Sequence, residues 1–440
     1  MMTLEQAPSQ PVPVASDSSP GTQHRTLRIA FLLSRYPAIS HTFFLKEVLG
    51  LRRLGLTVKT ASINQPDRPI NALYGSEADE ADSTFYVKDG SWFLLFLRTI
   101  GIAFAKPLAV LRGLSAIARL PHLTLRQRAF WLLYLAEALL VGRWMTRNQL
   151  SHLHVHFGGP VASVGMLTSI AWKIPYSLTI HGPEELLDVS AYQLREKIRQ
   201  ASFVFCISDF CRSQLCQLAS PSDWDKFSVI RLGVDPAAFT PVEPNEKSSS
   251  KPLHLVCTGR LVPAKGHRIL LEAIDKLIRR EIPLRVTLIG DGPERASLES
   301  FIGRYQLQEH VTFAGALSHD QTLRHVRSAD IFVLASFAEG IPVALMEAMA
   351  YSVPCISTSI AGIPELIRTG IDGILVAPSN VQELADAIES LTADASLRGF
   401  LGSSARQRIL LDYNLPINQE RLACCFLERL SSPGLPGETA

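Results

Sequence analysis

Within FAEGIPVALMEAMA, Glu339 and Glu347 are separated by seven residues around the start of an apolar helical stretch. Glu339 precedes the helix, and Pro342 suits its first position, where the amide has no intrahelical partner. The free amides of Gly340, Ile341, Val343 and Ala344 would then aim the positive end of the helix dipole at an anion such as a diphosphate. Glu347 lies further along, where a carboxylate can accept both hydrogens of a ribose diol. A second motif, TGRLVPAKGH, follows a strand and opens a helix, bringing Arg260 and Lys265 to a strand end. A planar guanidinium fork and a compact ammonium charge together could neutralise a diphosphate leaving group. Either motif alone fits an ordinary surface loop; their joint occurrence points to a phosphate site.

These residues need a scaffold that gathers strand ends. LRIAFLLS, a helical SHTFFLKEVLGLRRLG ending at Gly55, and VKTASI give the strand, helix, strand order that opens a parallel α/β sheet. LHVHF, YSLTIH, FVFCIS and FSVIRLGVD continue it. LHLVCTG, LRVTLIG, VTFAG, ADIFVLAS, PCISTS and GILVAP make a second series. Between the two lies PVEPNEKSSSKP, polar, without periodicity and the expected linker. The expected division is a loose tail over residues 1–25, Rossmann-like domains over 26–245 and 246–412, and a crossover helix and tail over 413–440. Two such domains face each other across a cleft lined by the carboxyl ends of their strands. IGDGPE should form a tight turn at Asp291 and Gly292. Asp223 and Asp225 precede a strand rather than ending one, which argues against metal binding there.

Residues 91–149 differ. They are rich in Trp, Phe and Leu but interrupted by Arg98, Lys106, Arg112, Arg119, Arg126, Arg128, Arg143 and Arg147, opposed by Glu137. No uninterrupted stretch reaches the roughly 20 apolar residues of a transmembrane helix. Two readings stay open: helices lying in an anionic membrane interface, or an insertion packed on its own domain with Arg stems covering apolar neighbours.

Composition narrows the classes further. With 440 residues, 47% apolar and 19% charged, the chain can build large cores and is neither a small stapled module nor a disordered protein. Forty-three Lys and Arg against 41 Asp and Glu leave a formal charge of +2, no global field for nucleic acid. Seven cysteines without a CxxC pair read as buried thiols in a reducing cytosol. The spacing of Cys206, Cys211 and Cys216 turns them progressively around a helix, unlike zinc ligands. The N-terminal 25 residues lack the basic start and apolar centre of a secretion signal.

GRL…KG, GDGP at Gly290 to Pro293, the Glu339/Glu347 pair and the GIPELI and GIDGILV segments occur in the order and spacing of a known family. From about Leu27 onward the chain resembles the retaining glycosyltransferases of family four, or group 1, whose fold is GT-B. The resemblance implies that Arg260 and Lys265 hold the donor diphosphate, Glu339 the donor sugar and Glu347 the ribose, with no metal or other cofactor. HVHFGGP and TIHGPE are similar to the family's histidine-bearing strand ends, placing His181 before the donor sugar. SRYPAISHTFFLKE, in place of the Gly-Gly turn of many members, resembles the colanic-acid type of exopolysaccharide enzyme and makes Ser40, His41, Thr42 and His156 acceptor-side candidates. That branch also implies a polyprenyl-diphosphate-linked saccharide acceptor at the inner face of the cytoplasmic membrane, and a C-terminal helix near Gln419 to Leu430 crossing back onto the first domain. GT-B sugar-nucleotide epimerases and a non-catalytic nucleotide-binding subunit are the alternatives; the intact Arg260, Lys265, Glu339 and Glu347 set and the family-four spacing argue against them.

Overall fold

The computed structural model describes residues 27–38, 42–182, 185–186, 188–241 and 252–431, except the side chains of Trp92 and Leu94. β1 (Arg28–Arg35), β2 (Thr57–Asn64), β3 (Phe85–Tyr86), β4 (His152–His156), β5 (Tyr176–Ile180), β6 (Val204–Cys206) and β7 (Phe227–Val229) form a parallel sheet ordered β3-β2-β1-β4-β5-β6-β7. β8 (Leu253–Thr258), β9 (Leu284–Ile289), β10 (Val311–Gly315), β11 (Ile331–Leu334), β12 (Cys355–Thr358) and β13 (Ile374–Val376) form the second, ordered β10-β9-β8-β11-β12-β13. Continuous apolar runs such as Ile29–Leu33 are buried because helices cover both faces. Every strand read from the sequence is present; the two-residue β3 was not foreseen. The expected tail and nearly all of the expected linker lie outside the described residues.

The strand order dictates where a ligand can bind. In each sheet the order reverses beside the first strand, at β1/β4 and at β8/β11, and neighbouring crossovers depart to opposite faces there. Such a switch point leaves a crevice outside the carboxyl ends of the strands. In the first sheet it is bordered by Ser34 and by His156, which ends β4; in the second, by the loops that carry Arg260 and Glu339.

The Leu415–Ser431 helix crosses back to the first domain, as expected. Phe426 packs among Phe31, Phe205 and His154, with ring centroids 6.1, 5.2 and 5.0 Å away. Gln419 lies on Gly50, where no β-carbon would fit, and donates to the Lys46 carbonyl at 2.7 Å.

Residues 91–149 form three helices, Trp92–Ala105, Pro107–Arg119 and Leu125–Arg147. The first two meet at Lys106, since Pro107 starts a helix but cannot continue one. The reading as an insertion packed on its own domain describes part of it. Ile117, Leu135, Leu139 and Met145 enter the core of the domain, whereas Phe93, Phe96, Phe104, Leu108 and Leu111 are exposed. No single helix among the described residues is long and apolar enough to cross a membrane; Leu95–Ala105 and Pro107–Arg119 together reach that length but bend by 105°.

Two readings of the cysteines are corrected. Cys206 lies on β6 and only Cys211 and Cys216 on the following helix, so the three do not wind round one helix. Cys424 is exposed, and Cys216 and Cys425 are half-buried, so burial holds only for the other four.

Candidate active site

The GRL…KG loop keeps its shape through close backbone contacts. Gly266 has φ of +63°, and a β-carbon there would strike the Ala335 carbonyl; at Gly292 it would strike the Leu261 carbonyl. The GDGP turn is therefore a backing for the GRL…KG loop: Leu261 N–H donates to the Asp291 carbonyl at 2.9 Å, and Asp291 Oδ1 accepts from the Gly292 amide at 2.8 Å. Arg260 is exposed at the tip. Lys265 is not a lone cation: its Nζ lies 2.6 Å from Glu339 Oε1, which also accepts from Ser336 Oγ at 2.8 Å. The pair joins the ends of β8 and β11 across the switch point and holds a carboxylate and an ammonium ready at one spot.

Pro342 caps the Val343–Ala350 helix instead of occupying its first position, because its ψ of 121° is extended. None of the backbone hydrogen bonds among the described residues takes up the Gly340, Ile341, Val343 or Ala344 amides, so an anion could receive them. Glu347 is buried. Loss of hydration pushes its carboxyl up to about 7, while the charge of Lys46 in the other domain pulls it down. His319 Nε2 lies 3.5 Å from Glu347 Oε1. His319 and Lys46 were missed in the sequence, since only the tertiary fold brings them to Glu347.

On the first domain, β4 and β5 place a row of polar groups on one face. His152 and His154 both meet Ser177 Oγ, at 2.7 and 2.8 Å, and His154 Nε2 meets Thr179 Oγ1 at 2.9 Å. Burial lowers His152 to about 3 and His154 well below the usual histidine range, so both are neutral near pH 7. Next along, His156 Nδ1 lies 3.0 Å from His181 Nε2, and Glu47 Oε1 lies 3.2 Å from His156 Nε2. His156 is fully buried, which corrects its reading as an acceptor contact: it stands behind His181. His181 is itself 9% exposed, ringed by Phe43, Phe44 and Phe157, and presents its backbone carbonyl to Gly340. Glu47, His154 and His156 bring three potential metal-ligand atoms within 4.8 Å of one another, but both ring nitrogens of His154 are engaged by hydroxyls. Thr42 begins the Thr42–Arg53 helix, half-buried; Ser40 and His41 lie outside the described residues. Asp223 pairs with Lys226 at 2.8 Å, away from any strand's carboxyl end.

Glu185 and Lys197 were also missed. Glu185 Oε2 accepts from the amides of His181 and Gly182 at 2.6 and 3.0 Å, and Oε1 accepts from the Gly158 amide. Lys197 donates to the Gly158 and Gly159 carbonyls at 2.8 and 2.7 Å. The two buried charges thus tie both histidine-bearing loops together. Burial drives each toward neutrality, Glu185 up and Lys197 down, each reaching about 7 despite their mutual attraction.

The domains touch across the cleft. A β-carbon on Gly182 would lie 3.2 Å from the Gly340 Cα. Glu365, in GIPELI, accepts from the Asp209 and Phe210 amides at 2.9 and 2.7 Å, capping a helix of the first domain from the second.

Two parallel sheets whose switch points face each other define a GT-B fold. Residues 100–238 match the model of Glycosyltransferase Family 4 and residues 241–408 that of Glycosyl transferases group 1, so this chain belongs to the group 1, family-four glycosyltransferases and depends on a nucleotide sugar. It is 26% identical over 411 residues to WcaL of Escherichia coli (strain K12), a protein named for colanic acid biosynthesis, with 90% of this chain and 98% of WcaL covered. It is 27% identical to a GDP-mannose-dependent phosphatidylinositol monomannoside mannosyltransferase of Mycolicibacterium smegmatis, over 61% of this chain and 75% of that one. Anabaena HepE, crystallised with UDP, has the same fold at a TM-score of 0.69 and 16% identity, covering 91% of this chain and all of HepE.

Proposed function

We propose that the protein transfers a sugar with retention from a nucleoside diphosphate sugar to a lipid-linked saccharide, without a metal ion, in exopolysaccharide or cell-surface polysaccharide assembly. The observation that carries this reading is the Lys265–Glu339 pair, 2.6 Å apart, beside the unfilled amides of the Val343–Ala350 helix. Arg260, Lys265 and those amides receive the diphosphate as the bond from the anomeric carbon to its oxygen breaks and the electron pair leaves on that oxygen. Glu339 holds a sugar hydroxyl, Glu347 the ribose diol, and the His181 carbonyl faces the positive charge developing at the anomeric carbon. The acceptor oxygen bonds to the anomeric carbon from the face the diphosphate leaves, and its proton passes to the departing oxygen.

The relatives support the polysaccharide setting and a lipid acceptor by their named activities, colanic acid assembly and phosphatidylinositol mannoside mannosylation. The apolar, basic helices of residues 91–149 support action at an anionic membrane surface, which would be the inner face of the cytoplasmic membrane. The test is thermal unfolding with UDP, GDP, ADP and CMP, for wild type and Glu347→Ala, followed by NMR of the product's anomeric proton. A ligand at 100 times its dissociation constant adds about 2.7 kcal/mol to stability. One selective nucleotide, a shift lost in Glu347→Ala and an unchanged anomeric configuration support the reading. No shift with any nucleotide, or an inverted product, overturns it.

A further inference from the structure

An apolar cavity of about 530 Å³ lies in the first domain, between the Trp92–Ala105 and Leu125–Arg147 helices and the sheet. Its volume falls in the range of about 300–1,000 Å³ that holds small ligands. One end is bounded by Ser34 and Asn64, at the carboxyl ends of β1 and β2, and by Pro160, which starts the helix after the Gly158–Gly159 turn. This is the sheet edge on which His181 lies. The other end is marked by residues that both line the cavity and remain open to solvent: Phe96, Phe130 and Leu133, 62, 46 and 53% exposed. The cavity therefore runs from an apolar surface toward the acceptor side of the cleft.

Further apolar groups, Phe104 at 85% and Leu108 at 64%, are exposed where the two helices bend. Arg98, two residues from Phe96 in the chain, and Arg126, 6.0 Å from the centre of the Phe130 ring, are exposed, whereas Glu137 is turned inward to Lys88 at 3.0 Å on the cavity wall. Exposed aromatics beside cations match an anionic bilayer surface, whose headgroup phosphates meet the cations, and from which a hydrocarbon tail reaches into the opening with its own phosphate toward the Ser34 and Asn64 end.

We infer that this cavity receives the hydrocarbon tail of the anionic lipid that carries the acceptor saccharide, an assignment that rests on the lipid-linked acceptor proposed above. The tail fixes the lipid so that its saccharide reaches the His181 edge, and the bent helix pair sets the depth at which the domain meets the bilayer.

The full chain is labelled with a benzophenone-bearing polyprenyl phosphate in vesicles of phosphatidylethanolamine and phosphatidylglycerol, and the labelled peptides are mapped. Labelling within residues 95–99 and 130–140 is expected. Ala136→Phe, which fills the cavity, should lower it about tenfold while vesicle sedimentation is unchanged. Leu133→Glu, at the exposed mouth, does the same if Ala136→Phe does not fold. Phe104→Glu, outside the cavity, should instead weaken sedimentation itself. Labelling elsewhere on the chain, or labelling unaffected by both cavity variants, overturns the assignment, as does equal labelling of the cavity by a benzophenone-bearing phosphatidylglycerol, which would make it a site for bulk lipid. Cavity labelling without transfer to any polyprenyl-linked saccharide would remove the acceptor reading and leave the tail site standing. Transfer without cavity labelling would remove only the tail site.

Discussion

The carbonyl oxygen of His181, at the carboxyl end of the first sheet, fills the space that a β-carbon on Gly340 of the second domain would need. Gly182 faces the same residue, so two glycines and one carbonyl bring the domains to backbone contact just before the start of the Val343–Ala350 helix.

Gly340→Ala should therefore hold the domains apart without disturbing either core, since φ at Gly340 is not positive. Displacement by about 1 Å costs on the order of 100-fold in rate, so kcat/KM should fall by roughly that factor while the unfolding temperature stays near wild type. Gly182→Ala, with a looser 3.2 Å approach, should lose less. Full activity in Gly340→Ala would mean that the enzyme works without this contact.

Glu347 predicts a pH dependence of definite sign. Its carboxyl is raised to about 7 from 4.5, so the folded state holds the proton more tightly than the unfolded one. The resulting stabilisation is complete below about pH 4.5 and lost as pH rises through about 7. Glu347→Gln should flatten that loss, a difference on the order of 1–3 kcal/mol in urea unfolding between pH 4.5 and 8. Affinity for an intact nucleotide sugar should rise from pH 6 to 8 as the carboxylate forms, and should not rise in the variant. A wild-type affinity that is flat over this range would detach Glu347 from the ribose.

Lys197→Met leaves the Gly158 and Gly159 carbonyls without their donor and Glu185 without its countercharge. Leaving a buried acceptor without its donor costs about 1–3 kcal/mol. Glu185→Gln keeps an acceptor for part of the amide set and should cost less while still displacing the His181 loop, lowering kcat more than it changes KM for the donor. Urea unfolding and steady-state kinetics separate the two. Near-wild-type stability in Lys197→Met would mean that water replaces its hydrogen bonds.

Glu365→Ala removes a helix cap that one domain provides to the other. A cap is worth about 1 kcal/mol, enough to shift an open-closed balance several-fold. Solution scattering should report a larger radius of gyration for the variant, with the difference narrowing on donor binding. Identical scattering curves would show that other contacts hold the domains together.

Strands and turn motifs were legible because their causes are local. Buried parallel strands read as apolar runs, and Gly266 and Gly290 are demanded by turns with φ of +63° and +135°. Glu339 and Glu347 were legible through spacing on one helix start. What escaped was made by distant chain segments: Lys46 facing Glu347, Glu365 capping Asp209, and Lys197, which is fully buried although it stands in the charged stretch LREKIRQ. His156 misled for a related reason. A histidine at a strand end can face the cleft or its neighbouring strand, and only the position of His181 on β5 decides which.

The position of Phe426 bears on how the chain matures. Its ring closes a pocket built from β1, β4 and β6, yet it is translated only after the whole second domain. During synthesis the first sheet must wait with part of one apolar face uncovered, the part beyond Val48 and Leu51 of the Thr42–Arg53 helix. Truncating such a ring to Ala costs about 3–5 kcal/mol, so a nascent chain halted before residue 415 should be far more open to protease around β4 than the released protein. The ribosome thus hands over a first domain that is finished last, although it is begun first.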